Sequence, residues 1–181
     1  MRRAAARGGN DTQAMTLKVV RFASLFLTAL AAGVALSHAL EMPNKLVLNG
    51  DTWIRVQQGL YHGFGTFRVL VETGAVLSTA ALLVLVRDQR PASGLTALAL
   101  CLLAVEIVVW LAVVDPVTSA GSTWTVATLP ANWTVQRAQW EYGHAARAVL
   151  LIASLAALIA ATLTDAPAED AHIAPHRFRP L

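Results

Sequence analysis

Four long apolar runs divide this chain, and each is close to the length that crosses a bilayer. They cover about residues 17–40, 60–86, 95–114 and 138–163. A helix needs about 20 apolar residues to cross about 30 Å of hydrocarbon. In lipid every backbone N–H and C=O must be paired within the segment or within a closed barrel, and runs of this length point to helices. The sequence therefore predicts an all-α fold, an integral membrane four-helix bundle running up-down-up-down over residues 17–164. Composition agrees: hydrophobic residues make up 56% of the chain and charged ones 14%, against about 25% charged in soluble domains. Too few charges remain to cover a soluble surface, so the lipid bilayer is the first partner.

The flanks read differently. Residues 1–16 and 165–181 carry no apolar period and are expected to be a disordered cytoplasmic arm and tail. Met15 offers a second start. The first apolar run exceeds the core of about 7–15 residues in a signal peptide, so it reads as an uncleaved span. Arg2, Arg3, Arg7, Lys18 and Arg21 precede or open that run, Arg87 and Arg90 sit in the short second turn, and Arg177 and Arg179 lie in the tail. With four crossings all three groups share one side, and the positive-inside rule makes both termini cytoplasmic in a multi-pass protein of the cell membrane. The loops at about 42–58 and 116–136 then face outward. Trp53, Trp124 and Trp133 lie in them and Trp110 and Trp140 close by, as an interfacial belt would. The formal net charge is +3. Its cations gather at the termini and one turn, which suits an anionic membrane surface. No basic stripe alternates with aromatics, which argues against nucleic acid. Cys101, alone in an apolar run, is expected to be a small buried hydrophobe. No feature sets the oligomeric state.

Ionisable residues inside membrane helices are costly and each needs a reason. Helix one ends with His38 and Glu41. Helix two carries His62 near its start and Arg68 and Glu72 deeper. Helix three carries Glu106, about 13 Å inside Asp115 at 1.5 Å per residue. Helix four opens with Arg137, Glu141, His144 and Arg147. All lie in the outer half or at the midplane. Local pairing explains three carboxylates: Glu41 with Lys45, Glu72 with Arg68 and Glu141 with Arg137 are all four residues apart. Glu106 has only Leu102, Leu103, Val109 and Trp110 at such spacings. It must pair across the bundle, stay protonated or bind something.

Three readings of the cluster stand side by side. A metal site would use His38, Glu41, Glu72, Glu106, Glu141 and His144, an inventory like that of di-iron carboxylate bundles, or a single divalent transition metal on fewer of them. Lys45, Arg68, Arg137 and Arg147 oppose it, because cations repel a metal and compete for its ligands. A metal-free, cofactor-free pocket would use His or Glu as base and Arg to hold an oxyanion. A structural network would only lock helices together. The stretch from Asn132 to Arg147, with Trp133 and Trp140, reads as an interface anchor or as a wall over an outward-opening pocket.

The segments His38-Ala-Leu-Glu41-Met-Pro43-Asn-Lys45, Trp53 and Val56-Gln57-Gln58-Gly-Leu-Tyr61 resemble the first half of bacterial membrane proteins grouped with the anthrone oxygenases. The second half is similar to the same group through Asp115-Pro116-Val117, Trp124-Thr125, Leu129-Pro130-Ala-Asn-Trp133, Arg137 and Trp140-Glu141-Tyr-Gly-His144-Ala. The likeness spans roughly residues 20–163. It implies a membrane-embedded enzyme that oxidises anthrones to anthraquinones with molecular oxygen and without a classical cofactor. The fungal final-helix motif is Trp-x3-Asn-x2-Arg; Trp140, His144 and Arg147 fall at that spacing, with His144 in place of Asn.

The function expected is thus an oxidoreductase, oxygenase-like, acting on a hydrophobic phenolic or quinone-like small molecule in an outward-facing polar pocket. His38, Glu106 and His144 are its acid/base candidates, and Arg68 and Arg147 its oxyanion holders. The alternative is a non-enzymatic small membrane subunit whose polar network is structural or docks a partner. A transporter ranks third, because four helices without repeats or broken spans lack the usual architecture.

Overall fold

The computed structural model describes residues 2–61 and 63–164, with side chains from Asp11 onward. His62 and the expected tail at 165–181 lie outside the described residues. Among the described residues there is no strand. The elements are helices α1 (Arg2–Lys45), α2 (Gly50–Leu60), α3 (Phe64–Leu85) and α4 (Ala92–Val109), a π turn at Trp110–Val114, α5 (Asp115–Gly121), a single 3-10 turn at Val126–Thr128 and α6 (Trp133–Thr164). Among the described residues four stretches are long and apolar enough to cross a membrane: Asp11–Lys45, Phe64–Leu85, Ala92–Gly121 and Trp133–Thr164.

Several boundaries differ from expectation. The segment 1–16, expected to be unstructured, is helical from Arg2. It contains no proline, its Ala and Gln residues favour helix, and the apolar span downstream supplies the nucleus. The same helix runs on past residue 40 and ends two residues beyond Pro43, whose ring cannot sit deep in a helix. The first outer loop is not simply a loop. Asn49 Oδ1 accepts from the Thr52 N–H at 2.8 Å, and this N-cap starts α2, whose Trp53 and Ile54 are buried. Gly63 then adopts φ +87°, a left-handed turn that a side chain resists, and it sets the angle into α3.

The third span continues to Gly121 through a widened turn. Pro116 has no N–H to give to the carbonyl four residues back. The Asp115 N–H bonds to the Trp110 carbonyl instead, and Gln139 of α6 donates to the Val113 carbonyl at 2.9 Å. The fourth span begins at Trp133 rather than near Ala138.

Consecutive spans neighbour one another, and α6 closes the ring against α1. In lipid no hydrophobic force drives these contacts, so small residues that allow close approach do the work. Ala31, Ala32, Ala35, Ala75 and Ala148 fill one buried cluster; Ala99 and Ala157 lie in a second nearer the other end. Ser154 donates to the Ala99 carbonyl at 3.0 Å. A Cβ on Gly143 would lie 2.7 Å from Val114 Cγ2, and one on Gly74 would lie 2.9 Å from Leu27 Cδ1. Phe22, Phe26, Leu77, Val108 and Val149 are exposed, as a lipid-facing surface should be. Cys101 is exposed with them, against the expectation of burial.

Candidate functional site

One face of α6 carries Arg137, Glu141, His144 and Arg147 inward, all buried. Their steps of four, three and three residues keep them on one side of a helix. Arg137 does not meet Glu141, its expected partner. Its Nη1 donates to the Leu48 carbonyl at 2.5 Å and the Lys45 carbonyl at 3.4 Å, and its guanidinium lies 4.7 Å from the Trp133 ring. The carbonyls at and just past the end of α1 have lone pairs to spare, and a guanidinium can donate to them where a carboxylate cannot.

Glu141 goes instead to Lys45, at 3.2 Å. Lys45 Nζ also stands 3.3 Å from Glu41 and 3.3 Å from the Tyr61 hydroxyl, and it lies over the Trp140 ring at 4.8 Å. The ammonium therefore donates to the Tyr61 hydroxyl and forms ion pairs with both carboxylates. The Tyr61 hydroxyl donates in turn to Glu41. Glu41 is 49% exposed at its side chain, whereas Glu141 is at 0%, so this chain of contacts ends in water. Burial, reinforced by the Glu41 carboxylate, holds the Tyr61 phenol proton well above its ordinary range.

Deeper lies the quartet that answers the question of Glu106. It pairs across the bundle. Arg147 reaches both Glu106 and Glu72, and Arg68 reaches Glu72 from the preceding turn. Two guanidiniums face two carboxylates, so formal charge cancels. Both guanidiniums lie against Trp110, at 3.6 Å for Arg68 and 4.8 Å for Arg147. The π turn that begins at Trp110 thus sits against the quartet, a common place for such a turn.

Arg147 Nη1 also stands 3.3 Å from His144 Nδ1. Guanidinium only donates, so Nδ1 accepts and the ring proton belongs on Nε2. The His38 and His144 rings are 4.3 Å apart. Trp140 flanks both, at 5.3 Å and 4.2 Å, and Tyr61 lies 4.7 Å from His38.

These groups border a cavity of about 710 Å³ at the end of the bundle that carries α2 and α5. That volume suits an organic molecule of several rings. His38, Arg68, Glu72, His144 and Arg147 line it, together with Gln57, Tyr61, Trp110 and Trp140. Glu41, Glu106 and Glu141 are not on its wall. Five buried polar atoms of wall residues have no hydrogen-bond partner among the described residues: His38 Nδ1, Trp53 Nε1, Gln57 Nε2, Arg68 Nε and His144 Nε2.

The six candidate metal ligands do not form one centre. Among the described residues no three of His, Cys, Asp and Glu converge to hold a metal ion. The cause is the competition foreseen from the cations, since Arg or Lys already faces each of the four glutamates. Sequence reasoning singled out the charged residues that meet here but not Tyr61, Gln57 or the central place of Lys45. Tyr61 and Gln57 lie in a stretch singled out only by resemblance, and a lysine beside a glutamate reads as a surface pair. No known protein family, curated protein or solved structure matches the chain.

Proposed function

We propose that the chain is a membrane-embedded oxidoreductase, oxygenase-like, acting on a hydrophobic phenolic or quinone-like molecule in this cavity. One observation carries the reading. Two adjoining, buried imidazoles, tilted 31° to each other, each present an unpartnered nitrogen on the wall of an aromatic cavity. Unpaired buried polar atoms cost stability, and a bundle that needed only glue has no use for them. His38 serves as the base, because neither Arg nor carboxylate fixes its Nδ1 among the described contacts. His144, with its proton on Nε2, donates to the oxygen where charge develops, beside Arg68 Nε. Arg147 and Glu106 are positioning residues: Glu106 orients Arg147, and Arg147 fixes the His144 tautomer.

For an anthrone the balance is simple. One ring methylene and one dioxygen give one carbonyl and one water, with one oxygen atom in each product. His38 takes the proton that creates the enolate, and dioxygen accepts the electrons. The loop charges support a cell-membrane protein with both termini cytoplasmic and the cavity toward the outer face.

The test is aerobic incubation of the purified chain with 1,8-dihydroxyanthrone in lipid nanodiscs, following quinone absorbance and oxygen uptake. Turnover above the spontaneous rate is expected, with a loss of about 100-fold or more in His38→Ala, the scale of acid–base catalysis. Uptake equal to that of empty discs refutes the reading. The second reading, a non-enzymatic subunit, draws on the way Arg147 ties α3, α4 and α6 together; a wild-type chain with no turnover above empty discs, alongside a strongly destabilised Arg147→Met, would favour it.

A further inference from the structure

The unpartnered atoms of the cavity are not a balanced set. Arg68 Nε and His144 Nε2 are donors, the second by the tautomer that Arg147 imposes. Gln57 Nε2 and Trp53 Nε1 are donors from helix α2. His38 Nδ1 takes either role. The carboxylates on the wall do not redress this. Glu72 is occupied by two guanidiniums, and Asp115 is a half-buried carboxylate on the same wall. Donors from α2, α3 and α6 therefore border one space whose walls also include the rings of Tyr61, Phe64, Trp110 and Trp140.

Charge narrows the ligand further. Arg68 and Arg147 are cancelled by Glu72 and Glu106, and Asp115 adds a negative charge. With His38 neutral, no net positive charge is left to hold a phenolate as the resting ligand in a low-dielectric interior, whereas the enolate of the reaction forms beside the imidazolium that its own proton creates. Neutral oxygen acceptors on a flat ring system meet both conditions, since each satisfies a buried donor without bringing a charge.

We propose that the cavity selects the neutral quinone form of its ligand, a planar ring dicarbonyl whose oxygens accept from Gln57 on one side and from Arg68 and His144 on the other. This rests on the reading of the cavity as an aromatic-ligand site, and it makes the carbonyl-bearing molecule the tightly held partner of the reaction. The phenolic form offers hydroxyl protons to a wall already rich in donors. A preference for the quinone also lowers the midpoint potential of the bound couple, by about 30 mV for each tenfold.

The probes are 1,4-naphthoquinone and 1,4-dihydroxynaphthalene, which share one ring system and differ in the sense of their hydrogen bonds. Each is titrated anaerobically into the full chain in nanodiscs by calorimetry, with empty discs subtracted. The quinone should bind at least about tenfold more tightly, the worth of one to two net hydrogen bonds. In Gln57→Leu the preference should shrink about 3–10-fold. Equal affinities, a preference for the hydroquinone, or a preference untouched by Gln57→Leu overturns the assignment and leaves the cavity as an aromatic-ligand site. Binding of neither probe overturns both the assignment and the reading beneath it.

Discussion

Replacing Arg147 by methionine removes the one cation shared by Glu72 and Glu106 and keeps an unbranched apolar chain in its place. The Arg147 side chain is 3% exposed and that of Glu106 1%, so water cannot take over the pairing. The two carboxylates are not equally stranded. Glu72 keeps Arg68. Glu106 keeps nothing, and its Oε2 has no partner even in the native protein. Removing one member of a buried ion pair costs about 3–5 kcal/mol, and loss of the contact to His144 Nδ1 adds about 1 kcal/mol. Arg147→Met should therefore cost about 4–6 kcal/mol. Adding Glu106→Leu removes the stranded carboxylate, and an apolar replacement of a buried pair is often near neutral. The double variant should return to within about 2 kcal/mol of wild type, leaving a coupling energy at the upper end of the about 0.5–3 kcal/mol usual for neighbours or beyond it. The assay is reversible unfolding in mixed micelles, followed by circular dichroism, on wild type, both single variants and the double. Additive losses, or an Arg147→Met within about 1 kcal/mol of wild type, would refute the account of Glu106.

Three further outcomes follow from the same geometry. Tyr61 lies between spans, and burial with Glu41 raises its pKa; the unfolded chain, with an ordinary value near 10, then loses the proton first, so this group's stabilisation is full below about pH 10 and is lost as pH rises above it. Unfolding midpoints between about pH 9 and 12 should fall with a slope that is shallower in Tyr61→Phe, and identical slopes would count against the buried hydroxyl. Gly143→Ala places a methyl 2.7 Å from Val114 Cγ2 and 3.1 Å from Val113 Cγ1; overpacking of about 1–3 kcal/mol outweighs the helix-propensity gain of up to about 1 kcal/mol, so thermal stability should drop, and a stabilised variant contradicts the close contact. A reporter fused to the C-terminus should be active on the cytoplasmic side, while a cysteine placed at Thr123 should react with an impermeant maleimide added outside intact cells; the reverse pattern inverts the proposed orientation.

Much of this was legible in one dimension. Apolar length alone marks four spans, because lipid leaves a long apolar run few states besides a helix. Two ion pairs, Glu41 with Lys45 and Glu72 with Arg68, follow from helical periodicity and are present. The same rule failed for Glu141, because the Lys45 and Leu48 carbonyls, at and just past the end of α1, engage Arg137 and leave Lys45 as its cation. The missing partner of Glu106 was itself readable, since nothing near it in sequence can pair.

What the sequence by itself determined is therefore the number of spans, the end of the bundle where polar groups collect, and which carboxylate had to look elsewhere. Only the tertiary structure decided that Arg147 answers Glu106, that this fixes the His144 tautomer, and that the wall of the cavity is rich in donors. The physical reason is that contacts between helices depend on each helix's rotation and depth. Close approaches such as Gly143 to Val114 and Gly74 to Leu27 help set both, and no periodicity within one helix records where its neighbour will stand.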